Sequence, residues 1–300
     1  RSLQVGDVLT SRAGEAAMSG SANMVRQLEE MLAAGQHYEA QQMYQNAALR
    51  LASHEQHAQA RVLLRDGVSA MIGAGRLENA TQLARQYVEI CAQSPPDDAG
   101  DGAEGVARLV AAFPAEGAEQ EQLTVLHAGI KWTAAGKAQG DARLHLAAAR
   151  CHRALGEHGA AAKHYARGFA PAEFAAFVAE RCRASGKPGE EDLFACRATL
   201  QLLALGNAPH AHALLAAFAQ QFEPQGLPPT PLLNFSRLFI AAVEREDYVL
   251  YTMLLDEYRP ALSRDPSFFQ FAGHIGEVWF GVPHKKGGGG LMGMLSDFMS

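Results

Sequence analysis

Apolar residues recur at intervals of three and four along almost the whole chain: Val25, Leu28, Met31 and Leu32, then Val62, Leu63, Val68 and Met71, then Leu200, Leu203 and Leu205. That spacing gathers them on one side of an α-helix, which turns once every 3.6 residues. Sustained alternation, the mark of a half-buried strand, does not occur. The pattern predicts an all-α chain.

A second pattern punctuates the first. A Gly is followed five residues later by an Ala at Gly35 and Ala40, Gly75 and Ala80, Gly156 and Ala161, and Gly206 and Ala211, with a degenerate copy at Glu55 and Ala60. The Gly suits the left-handed turn that ends a helix, and the small Ala lets the next helix pack closely. Copies 20 residues apart imply one helix plus one turn. Pairs of such units have about the 34-to-45-residue length of tetratricopeptide (TPR) and related repeats. The expected fold class is a TPR-like α-solenoid of stacked helix hairpins, each burying its apolar face against the next.

Two segments interrupt the repeats. Residues 94–102 combine two prolines with acids and glycines, which reads as a loop. Residues 223–231 hold four prolines, which exclude helix until Leu232 and predict a Pro-rich loop or short β-hairpin inserted near the carboxy-terminal end. The expected organisation is a flexible segment at 1–23 and a single solenoid at 24–283, with halves of about 24–94 and 105–283. A Gly-rich linker and short amphipathic tail then occupy 284–300, where Leu291, Leu295 and Phe298 share one helical face. Such a tail has three options: folding back on the body, docking in a partner, or touching a membrane.

Composition changes this picture little. With 48% hydrophobic residues the chain can bury a sizeable core. The net charge of -6 opposes wholesale wrapping of nucleic acid. All of it resides between Asp97 and Glu121, where seven acids face the single base Arg108, and the segment reads as solvated. The cysteines Cys91, Cys151, Cys182 and Cys196 show no CxxC spacing and sit in apolar or Ala-rich stretches, as structural thiols of a reducing compartment do. Residues 1–23 carry no apolar core of a secretory signal, so a cytosolic location is expected. Residues 198–222 contain no charged side chain, yet Gly206-Asn207-Ala208-Pro209-His210 divides them into two core helices, so no stable membrane insertion is expected.

Candidate chemistry is sparse. Asp97-Asp98-Ala99-Gly100-Asp101 has the Asp-Asp-x-x-Asp spacing with which all-α prenyl-transferring enzymes hold magnesium, but prolines and glycines surround it and no second acidic cluster follows. His210-x-His212 and Cys151-His152 are the closest metal-type pairs, and neither spacing places two ligands on one helix face. No catalytic residue, metal site or cofactor is expected.

Short motifs carry a resemblance. Ala34 to Tyr44, with Ala58-Gln59-Ala60-Arg61 and Gly67, is similar to the opening repeats of the Golgi-to-ER traffic protein four family, the bridging subunit in guided entry of tail-anchored proteins. Lys131-Trp132, Arg143-Leu144-His145, Pro231-Leu232-Leu233-Asn234-Phe235, Glu257-Tyr258-Arg259-Pro260, Ser263-Arg264-Asp265-Pro266, Phe280-Gly281-Val282-Pro283 and Gly290-Leu291-Met292 follow the family in order. The resemblance implies a cytosolic adaptor without catalysis. Its amino-terminal half would dock the ATPase that targets tail-anchored proteins, using Tyr38, Glu39, Arg50 and Glu89. Its carboxy-terminal half would hold a ubiquitin-like-domain protein through Leu227, Leu232, Leu233, Asn234 and Phe235, and through it a co-chaperone loaded with client. An acidic position that the family uses to regulate the ATPase falls at Gln82. Three alternatives stay open: Tyr38 as the packing aromatic of its repeat, Leu232, Leu233 and above all Phe235 as inner-face core residues following the proline loop, and the whole chain as a scaffold for another assembly.

Overall fold

The computed structural model describes residues 24–94 apart from 25 and 29, then 102–135, 139–224 and 226–283. The flexible segment expected at 1–23, the acids Asp97, Asp98 and Asp101, and the tail expected at 284–300 lie outside the described residues. Among the described residues the regular structure is helical, and none is a strand. The chain forms two compact units, Arg1–Gly140 and Asp141–Ser300.

In the first unit α1 (His37–Ser53), α2 (His57–Gly73) and α3 (Leu77–Gln93) follow one another at the expected 20-residue interval. They pack against each other, and α4 (Ala103–Ala111) and α5 (Glu119–Thr133) pack on α3. The junctions repeat one device. Gly35, Glu55 and Gly75 take φ of 75, 62 and 70°. The next amide in each case (Gln36, Gln56, Arg76) reaches back to the carbonyl of Met31, Leu51 or Met71 at 2.8–2.9 Å. This is the Schellman closure, which satisfies carbonyls that a helix end would otherwise leave bare. Ala40, Ala60 and Ala80 are fully buried, as their position in the repeat requires. Glu55 shows that the degenerate copy adopts the same geometry without a glycine.

Gly67 of α2 faces Tyr44 of α1 and Leu83 of α3 closely: a Cβ there would lie 2.9 Å from the ring of Tyr44 and 3.0 Å from Leu83. The inward face of α2 is Ala60, Arg61, Leu64, Gly67, Val68 and Met71. Val62 departs from its expected core role and is 42% exposed, because it sits about 200° round the helix from Leu64.

The second unit contains α6 (Ala142–Ala154), α7 (His158–Arg167), α8 (Pro171–Ser185), α9 (Glu191–Ala204), α10 (Ala208–Gln220), α11 (Pro231–Glu244), α12 (Tyr248–Glu257), the short α13 (Arg259–Leu262) and α14 (Ser267–Phe280). Helix α9 is its axis, touching α7, α8, α10, α11 and α14. It buries Ala195, Cys196, Leu200, Leu202 and Leu203 in a core shared with Phe174, Phe218, Phe235, Phe239 and Phe268. The uncharged run at 198–222 is therefore the end of α9 plus α10, joined at Gly206, and no described helix is long and apolar enough to cross a membrane.

The Schellman turn recurs here at Gly156, Gly206 and Glu246. Phe169 (φ 51°) and Glu246 (φ 53°) are turns that the glycine pattern passes over, yet Phe174 and Tyr251, five residues on, are buried like the repeat alanines. All four cysteines are free and buried, and burial pushes the Cys196 thiol up to about 12. One helix end differs from the sequence expectation. Helix α11 starts at Pro231, one residue early, because proline is tolerated at a first helical position and Thr230 caps it by accepting the Leu233 N–H. Helix α14 ends at the left-handed Gly281 (φ 65°), before Pro283 is reached.

Candidate functional site

The first unit presents the outer arc of α1. Tyr38 is 66% exposed, which removes it as the packing aromatic of its repeat; Tyr44 holds that role, 7% exposed. Glu39 and Arg50 are exposed in the first and last turns of the same helix, and Glu89 is exposed on α3. Eleven residues is about three full turns. Tyr38 and Leu49 therefore share one line along α1, and Glu39 and Arg50 share the next. Leu49, 53% exposed, belongs to this surface and escaped sequence reading because a leucine in a helical pattern is taken for core.

A ladder of amides ties α1 to α3 beside this arc. Asn79 Nδ2 donates to Gln41 Oε1 at 2.5 Å, and Gln41 Nε2 donates to Gln82 Oε1 at 2.6 Å. Further along, Gln86 Nε2 donates to the Gln45 carbonyl at 3.1 Å. Gln82 thus supplies an acceptor to a buried glutamine, and its own backbone lies on an exposed position. Glu89, seven residues later on α3, shares its face.

The second unit carries the residues expected to hold a ubiquitin-like-domain partner, and their placement divides them. Leu232, Leu233 and Phe235 point inward, with exposures of 0, 4 and 0%, because each falls on the core side of α11. Phe235 stacks on Phe239 with ring centroids 4.6 Å apart. Leu227 is half-buried and Asn234 exposed. Residues 226–230 run without helix or strand, and beside them opens a cavity of about 500 Å³ lined by Leu227, Pro229, Thr230, Asn234, Arg237 and Tyr258 among others. Asn234 Nδ2 donates to the Tyr258 hydroxyl at 2.5 Å. Two motifs that stand apart in the sequence, Pro231 to Phe235 and Glu257 to Pro260, therefore meet at the rim of one cavity.

The Ser263-Arg264-Asp265-Pro266 motif is a clamp. Arg264 pairs with Asp192, Asp265 pairs with Arg197, and Asp265 Oδ1 also accepts from the Ser267 N–H and hydroxyl at 3.0 and 2.8 Å. Trp279 Nε1 donates to the Leu203 carbonyl at 2.8 Å, fixing α14 on α9.

The structure also brings together histidines that no sequence spacing marks. His145 Nδ1 lies 2.9 Å from His164 Nδ1, and the His152 ring stacks on His164 at 5.1 Å. One ring of the close pair must offer an unprotonated nitrogen. His210, weighed as a metal ligand with His212, instead donates from Nδ1 to Asn207 Oδ1, 2.6 Å away.

Repeated helix hairpins with broad exposed helix faces define a helical-repeat protein. The family model described as Golgi to ER traffic protein 4 matches residues 54–299, and the chain belongs to that family. The Golgi to ER traffic protein 4 homolog of Bos taurus is 29% identical, covering 95% of this chain and 91% of its own. The Homo sapiens homolog is 28% identical, covering 94 and 89%. A crystal structure of C. therm. Get4 has the same fold, with a TM-score of 0.76 over 93% of this chain and 95% of that one at 20% identity.

Proposed function

We propose that this chain is a non-catalytic cytosolic adaptor that bridges the ATPase targeting tail-anchored proteins and a ubiquitin-like-domain protein, in support of their insertion into the ER membrane. The ATPase would sit on the α1–α3 surface through Tyr38, Glu39, Arg50 and Glu89. The ubiquitin-like-domain protein would take the rim formed by Leu227, Asn234 and the loop before α11, with Leu232, Leu233 and Phe235 holding that rim from beneath. A co-chaperone with its client would arrive through the second partner. Carrying two partners on one polypeptide raises the concentration of each near the other, which favours handover of a client.

Family membership carries this reading. The exposure of Tyr38 supports it, since a large amphipathic ring left in solvent is the kind of anchor interfaces use. The test is a mixture of the purified chain, a tail-anchor-targeting ATPase with nucleotide, and a ubiquitin-like-domain protein, run on a sizing column with light scattering at micromolar concentration. A ternary peak is expected. Separate elution of the ATPase in every nucleotide state overturns the bridge.

A further inference from the structure

Within the second unit, α6 and α7 pack directly on each other, and alanines fill much of the space, with Ala148, Ala149 and Ala161 fully buried. Three imidazoles interrupt that filling. His145 and His152 of α6 are 6 and 7% exposed, and His164 of α7 is half-buried. Seven residues are about two helical turns, so His145 and His152 share one side of α6. His164 reaches both: its ring centroid lies 5.0 Å from that of His145 and 5.1 Å from that of His152. None of the three has a part in the adaptor reading.

The approach of His145 to His164 is nitrogen to nitrogen, with the two Nδ1 atoms 2.9 Å apart. Between neutral imidazoles one Nδ1–H donates to the other Nδ1, and a cation can take the place of that proton once the donor ring carries it on Nε2 instead. No proton is lost in that change of tautomer. Metal–nitrogen bonds of about 2.0–2.1 Å to two atoms 2.9 Å apart enclose an angle of about 90°. A tetrahedral ion asks for about 109°, whereas copper(II) and nickel(II) take nitrogen donors in square or tetragonal arrangements. The neighbouring ring is held as the surroundings of a metal site usually are. His152 Nδ1 lies 2.6 Å from Glu157 Oε2, so a carboxylate fixes the imidazole that stacks on His164.

We propose that His145 and His164 chelate one divalent nickel or copper ion through their Nδ1 atoms, with His152 and Glu157 positioning the His164 ring and water completing the coordination sphere. The ion fastens α6 to α7 across 19 residues of sequence. The folded hairpin brings the two nitrogens together and an unfolded chain does not, so bound ion adds to folding stability.

Nickel(II) titrated into the untagged, intact chain, followed by calorimetry and by proton NMR of the histidine rings, tests the site. One equivalent should bind, and the paramagnetic ion should broaden the His145 and His164 ring signals before those of His210 and His212. Saturation should raise the melting temperature by about 2 °C or more. His164→Ala and the milder His145→Asn should each weaken binding at least tenfold and cancel that rise, while His210→Ala/His212→Ala should change neither. The wild-type broadening requires no substitution and decides the matter even where a variant fails to fold. Binding that survives both His164→Ala and His145→Asn, broadening that begins at His210 or His212, or the absence of one-to-one binding overturns the proposal.

Discussion

Arg264 Nη1 donates to Asp192 Oδ2 at 2.7 Å across 72 residues of sequence, while Asp192 is only 2% exposed. The loop before α14 is thereby fastened to the first turn of α9, and Arg264 Nη2 adds a bond to the Gly189 carbonyl at 3.2 Å. A carboxylate so far from water depends on its guanidinium, and removing one partner of a buried pair leaves an uncompensated charge. Arg264→Ala should cost about 2 kcal/mol, below the ~3–5 of a wholly buried pair because the arginine remains partly in solvent. Asp192→Asn in the same chain should recover part of that loss. Urea midpoints of the two variants decide it.

The left-handed turns make a test in opposite directions. Glu55 holds φ 62° with a side chain, a conformation that costs roughly 1 kcal/mol relative to glycine. Glu55→Gly should therefore stabilise by about 0.5 kcal/mol after the added freedom of the unfolded chain is subtracted. Gly75→Ala, at φ 70° with open space around its Cα, should destabilise by about 1 kcal/mol through backbone strain alone. Thermal unfolding of both variants provides the comparison.

Tyr251 donates its hydroxyl to the Ala272 carbonyl at 2.5 Å, and burial, reinforced by Tyr248, pushes its pKa up to about 12. An unfolded tyrosine ionises near pH 10. Between those values the folded chain binds more protons than the unfolded one, so stability falls as pH rises through that window. Tyr251→Phe should lose about 1 kcal/mol at pH 7 from the missing hydrogen bond. Its stability should then decline less steeply than wild type above pH 10, and denaturation curves at pH 8 to 11 would show the difference narrowing.

Exposed and buried members of the expected interfaces should respond differently. Tyr38→Ala should weaken ATPase association about tenfold, the size of a typical interface anchor, with an unchanged melting temperature. Phe235→Ala should lower stability by about 3 kcal/mol through the cavity it opens, whatever it does to binding. A Tyr38→Ala variant that binds as wild type would remove Tyr38 from the ATPase surface.

Gln82→Glu restores an acid at the position where the family resemblance expects one. Its carboxylate can still accept from Gln41 Nε2, so stability should change by less than about 0.5 kcal/mol. The chain's effect on ATPase turnover should shift while docking persists, and a coupled ATPase assay at saturating adaptor separates the two.

Helix type, hairpin period and most turns were legible before any coordinates because each is local. A 3.6-residue apolar repeat and a left-handed glycine depend only on neighbours within a turn or two, so Gly35, Gly75, Gly156 and Gly206 announced their junctions. Glu55 was readable only through its interval, and Phe169 and Glu246 were not, since those side chains tolerate a strained φ that the surrounding packing imposes. The residues expected to dock partners were legible as types but not as faces. Tyr38 reads equally as a docking ring or a packing aromatic, Leu232 and Phe235 as a binding motif or inner-face core, and Leu49 as core; which way each points follows from the packing of α1 on α3 and of α11 on α9. The meeting of Asn234 with Tyr258, and of Arg264 with Asp192, likewise depended on folding, because contacts across 24 and 72 residues arise from how helices stack rather than from any spacing along the chain.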